Sequence, residues 1–264
     1  MPKVGLAQCA CAEGEEPLRK VESYTRRARS EGIELIVFPE ALMRPIAGRR
    51  TPRELAEPLD GPLVSGVRRV AQSSGVWIIV DVYESRPDSD ALPYNTAVVV
   101  DDCGEIQDVY RKCHLYDAHG ERESDQTSAG DALGKPIHTP FCTLGVGICY
   151  DLRFPEMTRD LALAGCDLIV FPAAWHAGPC KEEHWETLLR ARAIENECFV
   201  VGTCLAGSRY VGRSMVCDPL GRVLSKGPAG ADGEALVTCD LDFGVLRSVR
   251  DAMPVFAHRR PDVY

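Results

Sequence analysis

Short apolar runs recur along the whole chain, and they restrict its fold more than any other feature. The runs most typical of buried strands are Val4–Cys9, Ile33–Phe38, Val76–Val82, Thr96–Val100, Leu144–Cys149, Leu168–Phe171, Phe199–Thr203 and Ala235–Cys239. Unbroken apolar runs favour strands that are covered on both faces. Apolar residues at three- and four-residue spacing lie between several runs, around 18–28, 64–71, 157–164 and 185–193, and predict helices. Alternating strands and helices predict an α/β fold.

Two short segments of turn-forming residues separate further strand-like runs. Asp101–Gly104 and Asp218–Gly221 have strand-like sequence on both sides, which is typical of hairpins. Hairpins pair antiparallel strands, so the predicted sheets are mixed rather than purely parallel. We find no internal repeat, low-complexity tract or flexible linker, and interpret residues 1–264 as a single domain.

Reactive residue types follow several of the predicted strands, at the positions where the sites of α/β proteins gather. The run Ile36–Phe38 is stopped by Pro39 and followed by Glu40, and Tyr110–Arg111 is followed by Lys112. A carboxylate and an ammonium group at strand ends are suited to proton transfer and charge stabilisation. Taken singly, Glu40 is also compatible with a surface loop, and Lys112 with a solvated strand edge.

A third strand run ends in a cysteine. Gly145–Cys149 leads into Tyr150–Glu156, in which Pro155 suits the first turn of a helix. Cys149 is therefore predicted on a tight strand-to-helix connection, where free backbone N–H groups can bind an anion. The arrangement is similar in its physical logic to the nucleophile elbow of other hydrolases. A buried structural cysteine is the alternative interpretation.

A fourth strand, Ile169–Phe171, is followed by Pro172 and then by Trp175 and His176. This order is the same as in the segment that contains Glu40, where a strand is also followed by a Phe-Pro pair and a loop. We expect Trp175 and His176 to line a binding pocket. A core tryptophan beside an exposed histidine is the other arrangement that this sequence allows.

In combination these motifs resemble the nitrilase superfamily, the carbon–nitrogen hydrolases. The resemblance is carried by Phe38–Glu40, Arg111–Leu115 and Gly147–Glu156 in that order, and by segments 184–196 and 254–262 near the end of the chain. It spans essentially the whole sequence. The sequence is therefore identified as a member of that superfamily.

The resemblance implies catalytic roles. Cys149 is expected to be the nucleophile and Glu40 the general base. Lys112 and the backbone N–H of Tyr150 are expected to stabilise the oxyanion. No metal or organic cofactor is implied.

A second glutamate between the lysine and the cysteine is also expected in the site. Glu123 fits this position best, with Glu121 as a neighbouring candidate. Its expected role is to hold Lys112 in place.

The resemblance also implies a fold and an assembly. The fold is an α-β-β-α sandwich with two mixed β-sheets, and two such sandwiches commonly form a homodimer. Within the superfamily the sequence looks like the amidase branch, including omega-amidases and deaminated glutathione amidases. The expected substrate is a small linear amide whose acid portion carries a carboxylate.

Arg153, four residues after the nucleophile, is the candidate carboxylate anchor because a guanidinium can bind a carboxylate with two hydrogen bonds. Pairing of Arg153 with Asp151 or Glu156 is the alternative. For the reaction, a nitrilase or N-carbamoyl amidohydrolase is the second possibility, and a catalytically inactive binding subunit is a remote one.

Composition excludes several other classes of protein. The formal net charge of −9 disfavours binding to nucleic acid or to an anionic membrane surface. No apolar run is long enough to span a membrane, and no signal peptide is recognised. The 12 cysteines include no Cys-x2-Cys pair, so a zinc site is not predicted. We expect reduced thiols and a cytoplasmic protein.

Overall fold

Two mixed β-sheets packed face to face form the centre of the molecule, and helices cover their outer faces. The computed structural model describes residues 1–44, 50–88 and 90–263, and within these residues each sheet has six strands. One apolar core fills the space between the sheets and extends under the helices of the second sheet. Another lies between the first sheet and its helices. The predicted α-β-β-α sandwich is thus confirmed.

The first sheet, sheet A, has the strand order β12-β1-β2-β3-β4-β5. Its strands are β1 (Lys3–Gln8), β2 (Leu35–Val37), β3 (Trp77–Glu84), β4 (Tyr94–Val100), β5 (Ile106–Arg111) and β12 (Ala235–Asp240). Strands β1, β2 and β3 run parallel, whereas β4, β5 and β12 pair with their neighbours in antiparallel fashion. The hairpin predicted at Asp101–Gly104 joins β4 to β5.

The second sheet, sheet B, has the strand order β11-β10-β9-β8-β7-β6. Its strands are β6 (Ile137–His138), β7 (Thr143–Val146), β8 (Leu168–Ala173), β9 (Phe199–Cys204), β10 (Met215–Cys217) and β11 (Val223–Lys226). The three central strands, β7 to β9, are parallel, and both edges are antiparallel. The hairpin predicted at Asp218–Gly221 joins β10 to β11.

The helices cover the outer faces of the sheets, and α1 and α3 are clearly amphipathic. They are α1 (Pro17–Ser30), α2 (Pro52–Leu55), α3 (Pro62–Ser74), α4 (Pro155–Leu163), α5 (Lys181–Asn196) and α6 (Phe243–Ala252). Helix α1 buries Val21, Tyr24 and Ala28 on one face, at helical spacing. Helix α3 ends at Gly75, whose left-handed φ of 64° suits a residue without a Cβ atom. No helix in the described part of the chain is long and apolar enough to cross a membrane.

The strand predicted over Leu144–Cys149 ends earlier, and its true end sets the position of Cys149. Strand β7 stops at Val146, and at Gly147 an added Cβ would lie 2.6 Å from a ring carbon of Phe171. The chain then enters a 3₁₀ turn over Cys149–Arg153. The helix predicted near Pro155 is confirmed, because α4 begins at this residue.

Candidate active site

Glu40 follows β2, and its buried carboxylate is held by three hydrogen bonds. Oε1 accepts from Lys112 Nζ at 2.7 Å and from Asn95 Nδ2 at 2.8 Å. Oε2 accepts from the backbone N–H of Ala174 at 2.8 Å. Glu40 also contacts the thiol of Cys149. Sheet A thus supplies a carboxylate that reaches across to residues of sheet B.

Lys112 follows β5 and lies between two carboxylates. Its side chain is 2% exposed, and Nζ lies 2.7 Å from Glu40 Oε1 and 2.8 Å from Glu123 Oε2. Glu123 Oε2 also accepts the backbone N–H of Tyr116 at 2.7 Å. The ammonium group is therefore fixed in position by charge-assisted hydrogen bonds on two sides.

Asn95 is a site residue that the sequence analysis missed. Its Nδ2 donates to Glu40 Oε1 at 2.8 Å and to Glu123 Oε1 at 3.0 Å, so it bridges the two carboxylates that flank Lys112. The signal in the sequence was a polar residue at the start of the apolar run 96–100. The apolar run does not show that Asn95 lies beside Glu40 and Glu123, because these residues are distant in sequence.

Electrostatics separates the charge states of the three central groups. Burial opposes ionisation of Glu40, but the Lys112 ammonium and the hydrogen bonds outweigh it, and the pKa of Glu40 lies below its ordinary value. Burial also disfavours the charged form of Lys112, but the carboxylates of Glu40 and Glu123 raise its pKa well above the ordinary value. Burial and the Glu40 carboxylate raise the pKa of the Cys149 thiol. The resting site thus holds a carboxylate, an ammonium and a protonated thiol in contact.

The turn that carries Cys149 is anchored by Asp151. Asp151 Oδ2 accepts from the Tyr110 hydroxyl and from the Ile148 backbone N–H, each at 2.8 Å. Asp151 Oδ1 lies 2.7 Å from His114 Nδ1. These contacts tie the turn to the end of β5, next to Lys112. Cys149 itself has a left-handed φ of 45°, which is uncommon for a residue with a Cβ and agrees with the predicted tight connection.

The nucleophile turn opens into a pocket with aromatic and cationic walls. The lining includes Glu40, Asn95, Lys112, Glu123 and Cys149, together with Arg44, Tyr116, Glu121, Tyr150, Arg153, Trp175, His176, Lys181 and Tyr210. All eight side chains singled out in the sequence are thus brought to one pocket. Trp175 is itself buried, with its Nε1 donating to the Lys181 carbonyl at 3.0 Å. Burial lowers the pKa of His176, which favours its neutral form.

Arg153 does not make the alternative pairing considered above. Its guanidinium lies over the Trp175 ring, 4.6 Å from the centroid, and contacts His184 Nδ1 at 3.4 Å. Within the described residues no ion pair joins Arg153 to Asp151 or Glu156. Asp151 is instead engaged by Tyr110, Ile148 and His114.

Comparison with known proteins places this arrangement in a family. The family model for carbon-nitrogen hydrolases matches residues 3–251. The chain belongs to the carbon-nitrogen hydrolase family. The resemblance to the nitrilase superfamily and the predicted enzyme class, hydrolysis of carbon–nitrogen bonds, are therefore confirmed.

Several similar proteins cover nearly the full length of this carbon-nitrogen hydrolase. Deaminated glutathione amidase from Bos taurus is 34% identical over 280 residues, which span 100% of this chain and 84% of the relative. Omega-amidase NIT2 from Homo sapiens is 36% identical over 255 residues, covering 92% and 88%. The crystal structure of Saccharomyces cerevisiae Nit3, of branch 10 of the nitrilase superfamily, superposes with a TM-score of 0.85 at 28% identity, covering 98% and 96%.

Metal-ligand residue types gather at one place in the described part of this carbon-nitrogen hydrolase. Asp101, Asp102 and Cys103 lie close enough to share an ion, but they form the β4–β5 turn, and exposed acidic turns are common without a metal. None of the three lines the pocket.

Proposed function

We propose that the protein is an amidase that hydrolyses a small linear amide through a thioester on Cys149, and that the acid portion of its substrate carries a carboxylate. The observation that carries the proposal is the contact of the Glu40 carboxylate with both the Lys112 ammonium and the Cys149 thiol inside one pocket. Relatives that are named amidases support the choice of an amide.

Acylation begins with the thiol, because Cys149 is protonated in the resting site. Glu40 takes the thiol proton as the sulfur attacks the amide carbonyl, so a free thiolate need not accumulate. The carbonyl oxygen becomes an oxyanion, and the Lys112 ammonium supplies the opposing charge. The backbone N–H of Tyr150 lies in the first turn of the 3₁₀ segment, where N–H groups have no intrahelical acceptor, and it supplies a second donor.

The carbon–nitrogen bond then breaks. Protonated Glu40 gives its proton to the departing nitrogen, ammonia leaves, and the acyl group stays on sulfur as a thioester. Glu40, again a carboxylate, removes a proton from water as the water oxygen attacks the thioester carbonyl. Collapse releases the acid and returns the proton to the Cys149 sulfur. Hydrogen bonds from Asn95 to Glu40 and Glu123, and from Lys112 to Glu123, keep Glu40 and Lys112 in position through both steps.

The proposed carboxylate preference rests on the guanidinium edge of Arg153, which forms no ion pair within the described residues and has one 3.4 Å contact, from its Nη2 to His184 Nδ1. Stacking on Trp175 occupies the face of the guanidinium and leaves its N–H groups at the edge, which is the part that binds carboxylates in pairs. Lys181 lies on the same wall, with Nζ 3.1 Å from the Tyr116 hydroxyl. Two cations in the pocket lining, Arg153 over Trp175 and Lys181 over Tyr116, make this wall the favoured place for a substrate carboxylate.

The test compares ammonia release from 2-oxoglutaramate and deaminated glutathione with release from neutral amides of the same length, including the methyl ester of 2-oxoglutaramate. We expect the anionic amides to have the higher kcat/KM. Arg153→Gln is expected to raise KM for anionic amides by about 10- to 100-fold, the effect of losing charge-assisted hydrogen bonds, and to leave neutral amides almost unchanged. Arg190→Gln, on the outer part of α5, is the matched control.

Other substrates would contradict this proposal in distinct ways. A preference for neutral amides would show that the substrate need not carry a carboxylate. Release of carbon dioxide together with ammonia would indicate an N-carbamoyl amidohydrolase. Faster turnover of nitriles than of amides would indicate a nitrilase. If anionic amides are preferred but Arg153→Lys leaves KM unchanged, the anchor lies elsewhere, with His176 and Lys181 as the next positions to substitute.

We further propose that the protein is a cytoplasmic homodimer. All twelve cysteines, each within the described residues, are free thiols, which supports a reducing compartment. The dimer is supported by the resemblance to the nitrilase superfamily. Light scattering at micromolar concentration is expected to give twice the mass of the 28.9 kDa chain. A monomer under these conditions would refute the dimer.

A further inference from the structure

Asp81 is a buried carboxyl group that the proposed mechanism does not use. It lies within β3, in an otherwise apolar run, and its side chain is 0% exposed. Oδ1 accepts the backbone N–H of Ala41 at 2.8 Å, next to Glu40 in the chain. Oδ2 has no hydrogen-bond partner among the described residues. A buried carboxyl oxygen without a donor is costly if the group is ionised, so the state of Asp81 needs an explanation.

The charges around Asp81 favour its neutral form. Within the described residues, the titratable groups that face it are Glu40, Lys112, Glu123 and the neutral Tyr83 hydroxyl. This set already contains two carboxylates and a single ammonium, so a third negative charge would be buried without a counter-ion. Burial and the neighbouring Glu40 carboxylate raise the pKa of Asp81 well above its ordinary value. Near neutral pH the group is therefore a carboxylic acid with one O–H donor.

Asn95 offers an acceptor for that donor. The register of β3 with β4 pairs Asp81 with Ala97 and Tyr83 with Asn95, so Asp81 and Asn95 are diagonal neighbours on one face of sheet A. Asn95 Oδ1 is buried and, in the described part of the chain, lacks a partner. A protonated Oδ2 on Asp81 can donate to this oxygen, directly or through one water. One proton thereby satisfies both unpaired oxygens.

We infer that Asp81 is a positioning residue for the hydrolysis, a neutral carboxylic acid that accepts from Ala41 and donates to Asn95 and so holds Glu40 from two sides. Ala41 has a left-handed φ of 57°, a conformation that needs support for a residue with a Cβ. Asn95 binds Glu40 Oε1 directly. The inference rests on the proposed role of Glu40 as general base.

The test exploits the similarity of asparagine to a neutral acid, since both carry one acceptor oxygen and a donor. Asp81→Ala removes two hydrogen bonds and is expected to lower kcat by about 10- to 100-fold with little change in KM. Asp81→Asn is expected to restore kcat to within about 3-fold of the wild-type value, because one neutral donor replaces another. The acid limb of the kcat/KM profile, which reports ionisation of Glu40, should keep its position in Asp81→Asn.

An ionised Asp81 predicts a different result. Removing its negative charge would lower the pKa of Glu40 and move the acid limb of Asp81→Asn to lower pH. Such a shift, a loss of kcat as large as in Asp81→Ala, or failure of Asp81→Asn to fold would each overturn the inference. Infrared difference spectra of wild type against Asp81→Asn give a second measurement. The wild type should show the carbonyl band of one additional protonated carboxylic acid.

Asp108→Asn is the matched control. Asp108 also lies on sheet A and burial raises its pKa, but it does not line the pocket, so its substitution should leave kcat and the pH profile unchanged. The proposed function is tested separately by Cys149→Ala. Activity in that variant would refute the thioester mechanism, whatever the Asp81 variants show.

Discussion

Cys149→Ala is expected to abolish amide hydrolysis while the chain still folds. The sulfur is the only protein atom in the proposed reaction that bonds to the substrate carbon, and loss of a catalytic nucleophile lowers kcat by a factor on the order of 10⁶ in a well-studied hydrolase. Alanine keeps the Cβ that the left-handed backbone at this position already carries. The free energy of unfolding should therefore fall by only about 1 kcal/mol, the centre of the range for single substitutions.

The measurement combines ammonia release with mass spectrometry of the acyl-enzyme. Rapid quenching of the wild-type reaction should trap the acyl group on the peptide that contains Cys149, and the alanine variant should trap none. Cys113→Ala is the control, because Cys113 adjoins Lys112 in sequence but its Sγ contacts the Ala132 carbonyl at 3.0 Å, outside the pocket. Activity retained in Cys149→Ala and lost in Cys113→Ala would reverse the assignment.

Lys112→Met is expected to have the second largest effect. Loss of one preorganised oxyanion partner costs about 3–4 kcal/mol of transition-state stabilisation, or about 10²- to 10³-fold in kcat. Lys112 also keeps Glu40 ionised, so the substitution should impair the general base as well as the oxyanion site. Without the ammonium, burial raises the pKa of Glu40, and the base becomes protonated as the pH falls toward neutrality. The acid limb of the rate profile should move to higher pH.

Rates for Lys112→Met are measured over a pH series on protein shown by circular dichroism to be folded. Lys135→Met, at an exposed lysine, should keep both rate and profile. A Schiff base trapped on Lys112 by borohydride in the wild type would contradict the assigned role, because it would make the lysine a nucleophile. An unchanged acid limb in Lys112→Met would show that Lys112 does not control the pKa of Glu40.

Local patterns predicted the parts of the fold that local physics controls. Continuous apolar runs identified the central strands of both sheets, and turn residues identified both hairpins. The predicted end of β7 at Cys149 was wrong, because the strand stops at Val146 and the chain enters a 3₁₀ turn that no apolar pattern reveals. Helix α6 was not predicted.

The residues of the active site also fall into those that the sequence predicts and those that depend on long-range contacts. Glu40, Lys112 and Cys149 stand at strand ends, where their residue types are conspicuous in the sequence, and the structure brings them together. Asn95 and Asp81 lie inside strands, and what they do depends on a register between β3 and β4 that no local pattern contains. Their polarity within apolar runs was the available signal. The orientation of the Arg153 guanidinium likewise depends on Trp175, which is distant in sequence.

The pairing of β1 with β12 brings together segments from opposite ends of the sequence, residues 3–8 and residues 235–240. During synthesis β1 leaves the ribosome long before β12 exists. Until β12 arrives, β1 is an open edge of sheet A, and five of its six residues are buried in the finished protein. Exposed apolar edges recruit other chains, so the nascent protein passes through a stage that is prone to aggregation. Shielding of this edge by a chaperone would then govern the yield of active enzyme.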